Sequence, residues 1–236
     1  VSRRKVRKWS SGGGWTAVQE TRNPAWALAD KWTNAVYGDG YADARIDLAG
    51  LYTAAQTWDA RQDRFDAVFD QIYDSFQADQ MIAQAGRAAV FRRNTVMTLS
   101  RDQLRGMPVT AFTARNINPG SLAIEYKLAN ESTPDGIIVE YWDNRIWDWV
   151  DILCPAPGVA TPAKPHRLKL FGVTGATHAR REGLYHIADS YYRRKLASFS
   201  TELEGMIPSF GSAVVFSPTL PGWGKGGDVV SVQTAA

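Results

Sequence analysis

A single cysteine, Cys154, stands in a chain of 236 residues. No disulfide can therefore close within it, and the lone thiol suits a reducing place of synthesis. Long apolar runs are missing as well. None approaches the ~18 residues that a membrane-crossing helix needs. The start of the chain is basic and then glycine-rich, without the apolar centre of a signal peptide, so none is expected. Val1 in place of methionine is consistent with processing or with a longer polypeptide. Catalytic signatures are absent too: there is no G-x-S-x-G elbow, Walker A loop, H-E-x-x-H or C-x-x-C. Internal repeats and heptads are likewise missing.

What is present is an ordinary globular composition, 44% apolar and 22% charged. A chain of this length buries roughly 70–75% of its unfolded surface and needs no staples. Net charge is +3, unevenly placed. Arg3, Arg4, Lys5, Arg7 and Lys8 precede any acid, which leaves the rest slightly acidic. Basicity thus belongs to an arm, read as a solvated terminus rather than a nucleic-acid contact.

Residues 1–22 read as that arm plus a flexible Ser10–Gly14 link. Asn23-Pro24 opens a helix, with Asn as N-cap and Pro at the first helical position. Ala25, Leu28, Ala29 and Trp32 form its buried stripe. Asp47 caps a second helix through Leu48, Leu51, Tyr52 and Ala55. Asp63 opens an expected third, with Phe65, Val68, Phe69, Ile72, Tyr73 and Phe76 as a wide apolar face. Residues 81–91 around Gly86 read as a short hairpin. Past Gly120 the period changes to two: Leu122–Leu128, Ile137–Tyr141 and the segment with Trp147 and Trp149 alternate as strands. Four prolines mark 155–165 as irregular. A long helix near 176–195 follows, capped by Thr174 or Thr177, with Gly183 placed for close packing. Phe199–Leu203, Ala213–Phe216 and Val229–Val232 read as further strands. The expected class is α+β: a helical subdomain with a β-hairpin over 23–110, then a β-rich subdomain with one long helix over 111–236.

Three constellations deserve a chemical test. Glu182, His186 and Asp189 share one helix face at i, i+4 and i+7 and could hold a divalent ion; a solvated face is the simpler reading. Glu202 and Glu204, as i and i+2 on a strand, would stand ~6.5–7 Å apart, near the spacing of an inverting glycosidase. They fall on the polar side of the sheet, however, and a charged outer face is the better reading. Trp142, Trp147 and Trp149 are the last; Trp147 and Trp149 share a strand face suited to stacking on sugar rings or filling a partner's pocket, and core packing is the plain reading. The Gly222–Gly227 loop lacks the spacing and the Ser/Thr of a nucleotide site. No cofactor, metal or catalytic residue is expected.

Blocks of sequence carry a further reading. Asn23-Pro24-Ala25-Trp26 through Thr33-Asn34-Ala35-Val36-Tyr37-Gly38 comes first, then the helix ending Asp74-Ser75-Phe76. Leu128–Glu131 with Glu140-Tyr141-Trp142-Asp143 follows, then Lys169–Thr174, Arg180–Tyr185, Glu202–Gly205 and Pro221–Gly224. In this order they resemble the host-specificity (tip attachment, protein J type) proteins of lambda-like phage tails, over roughly residues 20–230. The resemblance implies a domain like those of phage baseplate hubs, in a homotrimer closing the distal end of a long tail. Implied partners are the distal tail protein ring, the tape measure protein and other tail-tip proteins, with DNA only in transit through the lumen. Contact with the host envelope would fall to regions absent from this chain. On this reading Glu182, Trp147, Trp149, Glu202, Glu204 and Trp223 are candidate interface residues in the virion's tail tip. A cell-wall hydrolase built on Glu202 and Glu204, or a carbohydrate-binding module built on Trp147 and Trp149, are the alternatives.

Overall fold

A computed structural model of the protein describes residues 4–128 and 133–217. In chain order they form β1 (Lys5–Val6), β2 (Trp9–Ser10), β3 (Gly14–Trp15), β4 (Gln19–Glu20), α1 (Pro24–Thr33), α2 (Leu48–Arg61) and α3 (Ser75–Gln84). Then come β5 (Ala88–Arg93), β6 (Val96–Arg101), β7 (Thr110–Thr113), β8 (Ala123–Tyr126), β9 (Gly136–Asp143), β10 (Asp148–Pro155) and β11 (Pro165–Lys169). The series ends with α4 (Ala176–Tyr192), β12 (Lys195–Ser198) and β13 (Val214–Ser217). The class is α+β, with the strands in small separate sheets.

The chain divides into two units, one of residues 1–103 and 127–194, the other of 104–126 and 195–236. The expected single boundary at residue 111 is therefore replaced by an interleaved division. Its cause is long-range pairing: β12 returns to β8 and β13 to β7, so the two ends of the smaller unit come from distant stretches of chain.

In the larger unit, capping does what the local sequence dictates. The Asn23 side chain accepts from Ala25 N at 2.9 Å and donates to Ala55 O at 2.8 Å, so the cap of α1 also ties it to α2. Asp47 caps α2 through Gly50 N and accepts from Thr98 on β6. Leu28, Trp32, Leu51 and Trp58 of these helices are fully buried, and the Trp58 indole donates to Gly86 O just past α3. A three-stranded sheet runs β10-β9-β11, antiparallel on one side and parallel on the other. α4 packs on its inner face. Gly183 makes this approach possible: a Cβ there would lie 2.3 Å from Val139 and 2.7 Å from the Cys154 sulfur.

The arm is not a solvated tail. β1 pairs β4 and β2 pairs β3, an antiparallel ladder closed by the turn before Gly14. Val6 is buried, Trp9 packs edge-on against Tyr52 at 6.1 Å, and the Trp15 indole donates to Asp43. Apolar residues between the basic ones thus fasten the arm to the larger unit.

Two other expectations give way. Residues 63–74 are irregular rather than helical. α2 ends at Gln62 in the left-handed conformation, and the N–H groups of Phe65 and Asp66 bond to Arg22 O and Gly172 O instead of a helical ladder. The apolar face is split, Phe65 buried while Val68 and Ile72 are exposed. The Met81–Gln84 stretch belongs to α3, capped by Asp74, and the hairpin is β5–β6 further on. In the smaller unit, the strand expected over Phe199–Leu203 is replaced by β12 and a 3-10 turn at Leu203–Met206. The Pro221–Gly224 loop with Trp223, and the strand expected at Val229–Val232, lie outside the described residues.

Substituting Gly183→Ala tests the α4 contact. The added methyl must displace Val139 or Cys154, a cost of about 1–3 kcal/mol set against a helix-propensity gain of about 1 kcal/mol. Chemical denaturation is expected to show net destabilisation.

Candidate functional site

Buried charge concentrates where α2, the turn after α3, and α4 meet. Asp63 and Glu182 are essentially inaccessible to solvent. Arg61 and Arg181 both bond the Asp63 carboxylate, Arg61 at 3.1 Å. Arg87, in a left-handed turn conformation, grips Glu182 with two parallel bonds of 2.9 and 2.8 Å and lies over the Tyr185 ring at 3.6 Å. The Arg64 backbone N–H donates to His178 Nδ1, which leaves the imidazole proton on Nε2, 3.6 Å from Asp63. Burial pushes the His178 pKa below its ordinary value, against the pull of Asp63 and Glu182. Nearby, Asp66 accepts from Arg22 and Thr174. Burial alone would raise its pKa, but these partners hold it below the usual carboxylate value.

Asp63, His178 and Glu182 offer ligand atoms within 4.8 Å of one another. The donor set nevertheless suits no divalent ion. Its carboxylate oxygens already receive guanidinium bonds, and a cation entering there would face the charges of Arg61, Arg87 and Arg181. The cluster is an internal clamp.

It also corrects two sequence-based expectations. Glu182 is turned inward, so it is not available to a partner. His186 on the same helix is exposed, so the proposed i, i+4, i+7 face does not converge. The triad that does form draws Asp63 from a segment 115 and 119 positions away from its partners, and no spacing along one helix could reveal it.

Glu202 and Glu204 do not lie on a strand. Glu202 precedes the 3-10 turn and Glu204 lies within it, so the alternation that set their separation does not apply. The strand on which the paired-carboxylate reading rested is not formed there.

Trp142, Trp147 and Trp149 do come together, at the tip of the β9–β10 hairpin. Trp142 and Trp149 are cross-strand partners with ring centroids 5.5 Å apart, and Trp147 stands edge-on to Trp142 at 6.4 Å. Trp147 is 60% exposed and Trp149 41%, so neither is core. The tip is held by Asp143, which accepts from the Arg145 backbone and guanidinium and from the Tyr141 hydroxyl. The Arg145 bonds above all drive its pKa far below the carboxylate norm. Trp147 itself has φ +57°, a conformation that costs a bulky residue roughly 1–3 kcal/mol.

The smaller unit presents the other surface. Phe112 is buried and packs on Phe199, which stacks on Phe216. Around this modest centre Leu104, Met107, Leu203, Met206 and Ile207 are each at least 60% exposed. Its sheets have two strands apiece among the described residues, and β7–β13 is parallel. Parallel pairs are ordinarily covered on both faces, and apolar exposure on this scale marks interaction surfaces.

No protein-family model matches the chain. It is similar to Tip attachment protein J of Escherichia phage SECphi27, 24% identical over 213 residues, covering 84% of this chain and 18% of that protein. This chain thus spans under a fifth of that curated relative. The match agrees with the resemblance carried by the ordered sequence blocks. Among solved structures, the tail protein from Neisseria meningitidis MC58 aligns with 71% of this chain and 55% of its own, at 12% identity and a TM-score of 0.48.

Two measurements test the clamp. Glu182→Ala strands the buried Arg87 guanidinium and is expected to destabilise the protein by about 3–5 kcal/mol in chemical denaturation. His178 supplies the second. Its folded pKa lies below the unfolded value of 6.5, so the unfolded chain binds the proton first. Stability is then full above about pH 6.5 and falls as pH drops, by at most about 1.4 kcal/mol per unit. Denaturation midpoints between pH 7 and pH 5 are expected to decline, and His178→Asn to flatten that decline.

Proposed function

We propose that this chain is a structural, non-catalytic segment of the distal tail tip of a long-tailed phage or phage-like particle, part of a homotrimeric hub that closes the tail tube. The likeness to Tip attachment protein J over 84% of the chain carries the reading. The ordered sequence blocks support it independently of overall identity. In this role the hub meets the distal tail protein ring, the tape measure protein and other tail-tip proteins. DNA passes only in transit through the opened lumen, and receptor recognition belongs to other regions of the tip.

Self-association is assigned to the smaller unit. Its exposed Leu203, Met206 and Ile207, flanked by Glu202 and Glu204, supply an apolar centre with a charged rim. Among the described residues its short two-stranded sheets leave edges that a neighbouring copy can extend by backbone pairing.

Gold labelling of virions with an antibody to this chain is expected to mark the tail tip; label elsewhere on the particle overturns the assignment. Light scattering is expected to give a trimer, and Met206→Asp with Ile207→Asp to give monomers of unchanged far-ultraviolet circular dichroism. A wild-type chain that stays monomeric at high concentration counts against self-sufficient trimerisation. Peptidoglycan treated with the protein is expected to release no fragments. Release that Glu202→Gln abolishes would favour a hydrolase.

A further inference from the structure

The outer face of the β10-β9-β11 sheet carries a pattern that the self-association assigned to the smaller unit leaves aside. Strand register sets Trp142 and Glu140 of β9, Trp149 and Asp151 of β10, and Lys169 of β11 on this one face. Arg167 reaches the same carboxylates. It bonds Asp151 at 2.8 Å and lies 3.7 Å from Glu140, while Lys169 pairs with Glu140 at 3.1 Å and sits 3.7 Å over the Trp149 ring. Two carboxylates and two cations therefore form a balanced polar grid beside exposed indoles.

A protein interface centred here would have to desolvate that grid, whereas interface centres are depleted in such charges. A sugar chain makes the opposite demand. Each pyranose ring offers an apolar C–H face for an indole and hydroxyls for fixed donors and acceptors at its edge. Glu140 and Asp151 accept, Arg167 and Lys169 donate, and their mutual bonds hold them in place beforehand. The face has no net charge, which favours a neutral glycan. Trp147 adds an independent indication. The turn gives φ +57° to the residue at this position, where glycine or asparagine would sit without strain. A large ring stands there instead, edge-on to Trp142 and 60% exposed.

We propose that this face is a binding site for a neutral glycan, with Trp147 and the side of Trp149 away from Lys169 stacking on successive sugar rings and Glu140, Asp151, Arg167 and Lys169 bonding their hydroxyls. The site is open and shallow, so a single copy binds weakly. Several copies in one particle would bind a polysaccharide far more tightly through multivalency. The assignment stands whether or not the chain trimerises.

Tryptophan fluorescence of the full chain, titrated with chitohexaose, cellohexaose and maltohexaose, tests it. At least one is expected to give a saturable change, weakened roughly tenfold or more by Trp149→Ala, a loss of one favourable stacking contact. Trp147→Gly separates binding from folding. It relieves the left-handed strain, so the thermal midpoint is expected to hold or rise while binding weakens. No saturable change with any of the three sugars overturns the proposal. So does equal binding by the Trp147→Gly, Trp149→Ala double variant. Acrylamide quenching that becomes blocked on oligomerisation, with Trp149→Ala abolishing the oligomer, would assign the face to a second copy of the chain and overturn it too.

Discussion

Two carboxylates without access to water, Asp63 and Glu182, set the terms for the larger unit. A buried charge is tolerated only when paired and hydrogen-bonded. Arg61 must therefore reach across from the end of α2, Arg87 from the turn after α3, and Arg181 from α4 itself. Each arginine fixes the element that bears it. The α2 helix stops at Gln62 because Asp63 is drawn into this clamp, and the segment after it runs as an irregular strap. The clamp holds α4 at the height where Gly183 can meet Val139 and Cys154. α4 in turn backs the sheet whose opposite face carries the tryptophans. A charge requirement on one side of a helix thus governs the presentation of aromatic rings on the far side of the sheet.

Local chemistry was the readable part of the sequence. Asn23-Pro24 and Asp47 announced α1 and α2, since a cap needs only its own next few residues. Gly183 within an otherwise regular helix announced a close approach. The alternating stretch around Ile137–Tyr141 announced β9; of Trp147 and Trp149, Trp149 lies on β10 while Trp147 stands in the turn before it rather than on the expected strand face. Each of these signals is complete within about ten residues of chain.

The misreadings share one cause, contacts distant in sequence. Phe65, Val68, Phe69 and Ile72 are spaced as a helix should be, yet Phe65 is committed to Phe171 and to the space that Gly172 leaves open. Asp63 resembles a helix cap but is consumed by Arg181. Glu182 resembled a solvated charge because nothing in its own helix reveals Arg87, 95 positions earlier. The basic arm resembled a tail because charge dominates its composition. Val6, Trp9 and Trp15 outweigh that charge by burying apolar area at ~25 cal/mol per Å². Asp74, by contrast, was an overlooked local signal: it caps α3 through Phe76 and Gln77, and its place just before a helical run was visible from the start.

The pairing of Tyr126 with Lys195 across β8 and β12 has a consequence for synthesis. Residues 127–194 leave the smaller unit and re-enter it through neighbouring positions, so they form a closed excursion in the chain. Until that excursion has emerged from the ribosome, Arg61 and Arg87 have no Glu182 to meet, and β8 has no β12. The first half of the chain must therefore wait, incomplete, for the second. Loop closure over so many residues slows folding relative to local pairing. A nascent chain interrupted before α4 would expose the unfinished clamp, and β8 stays unpaired until β12 has followed α4.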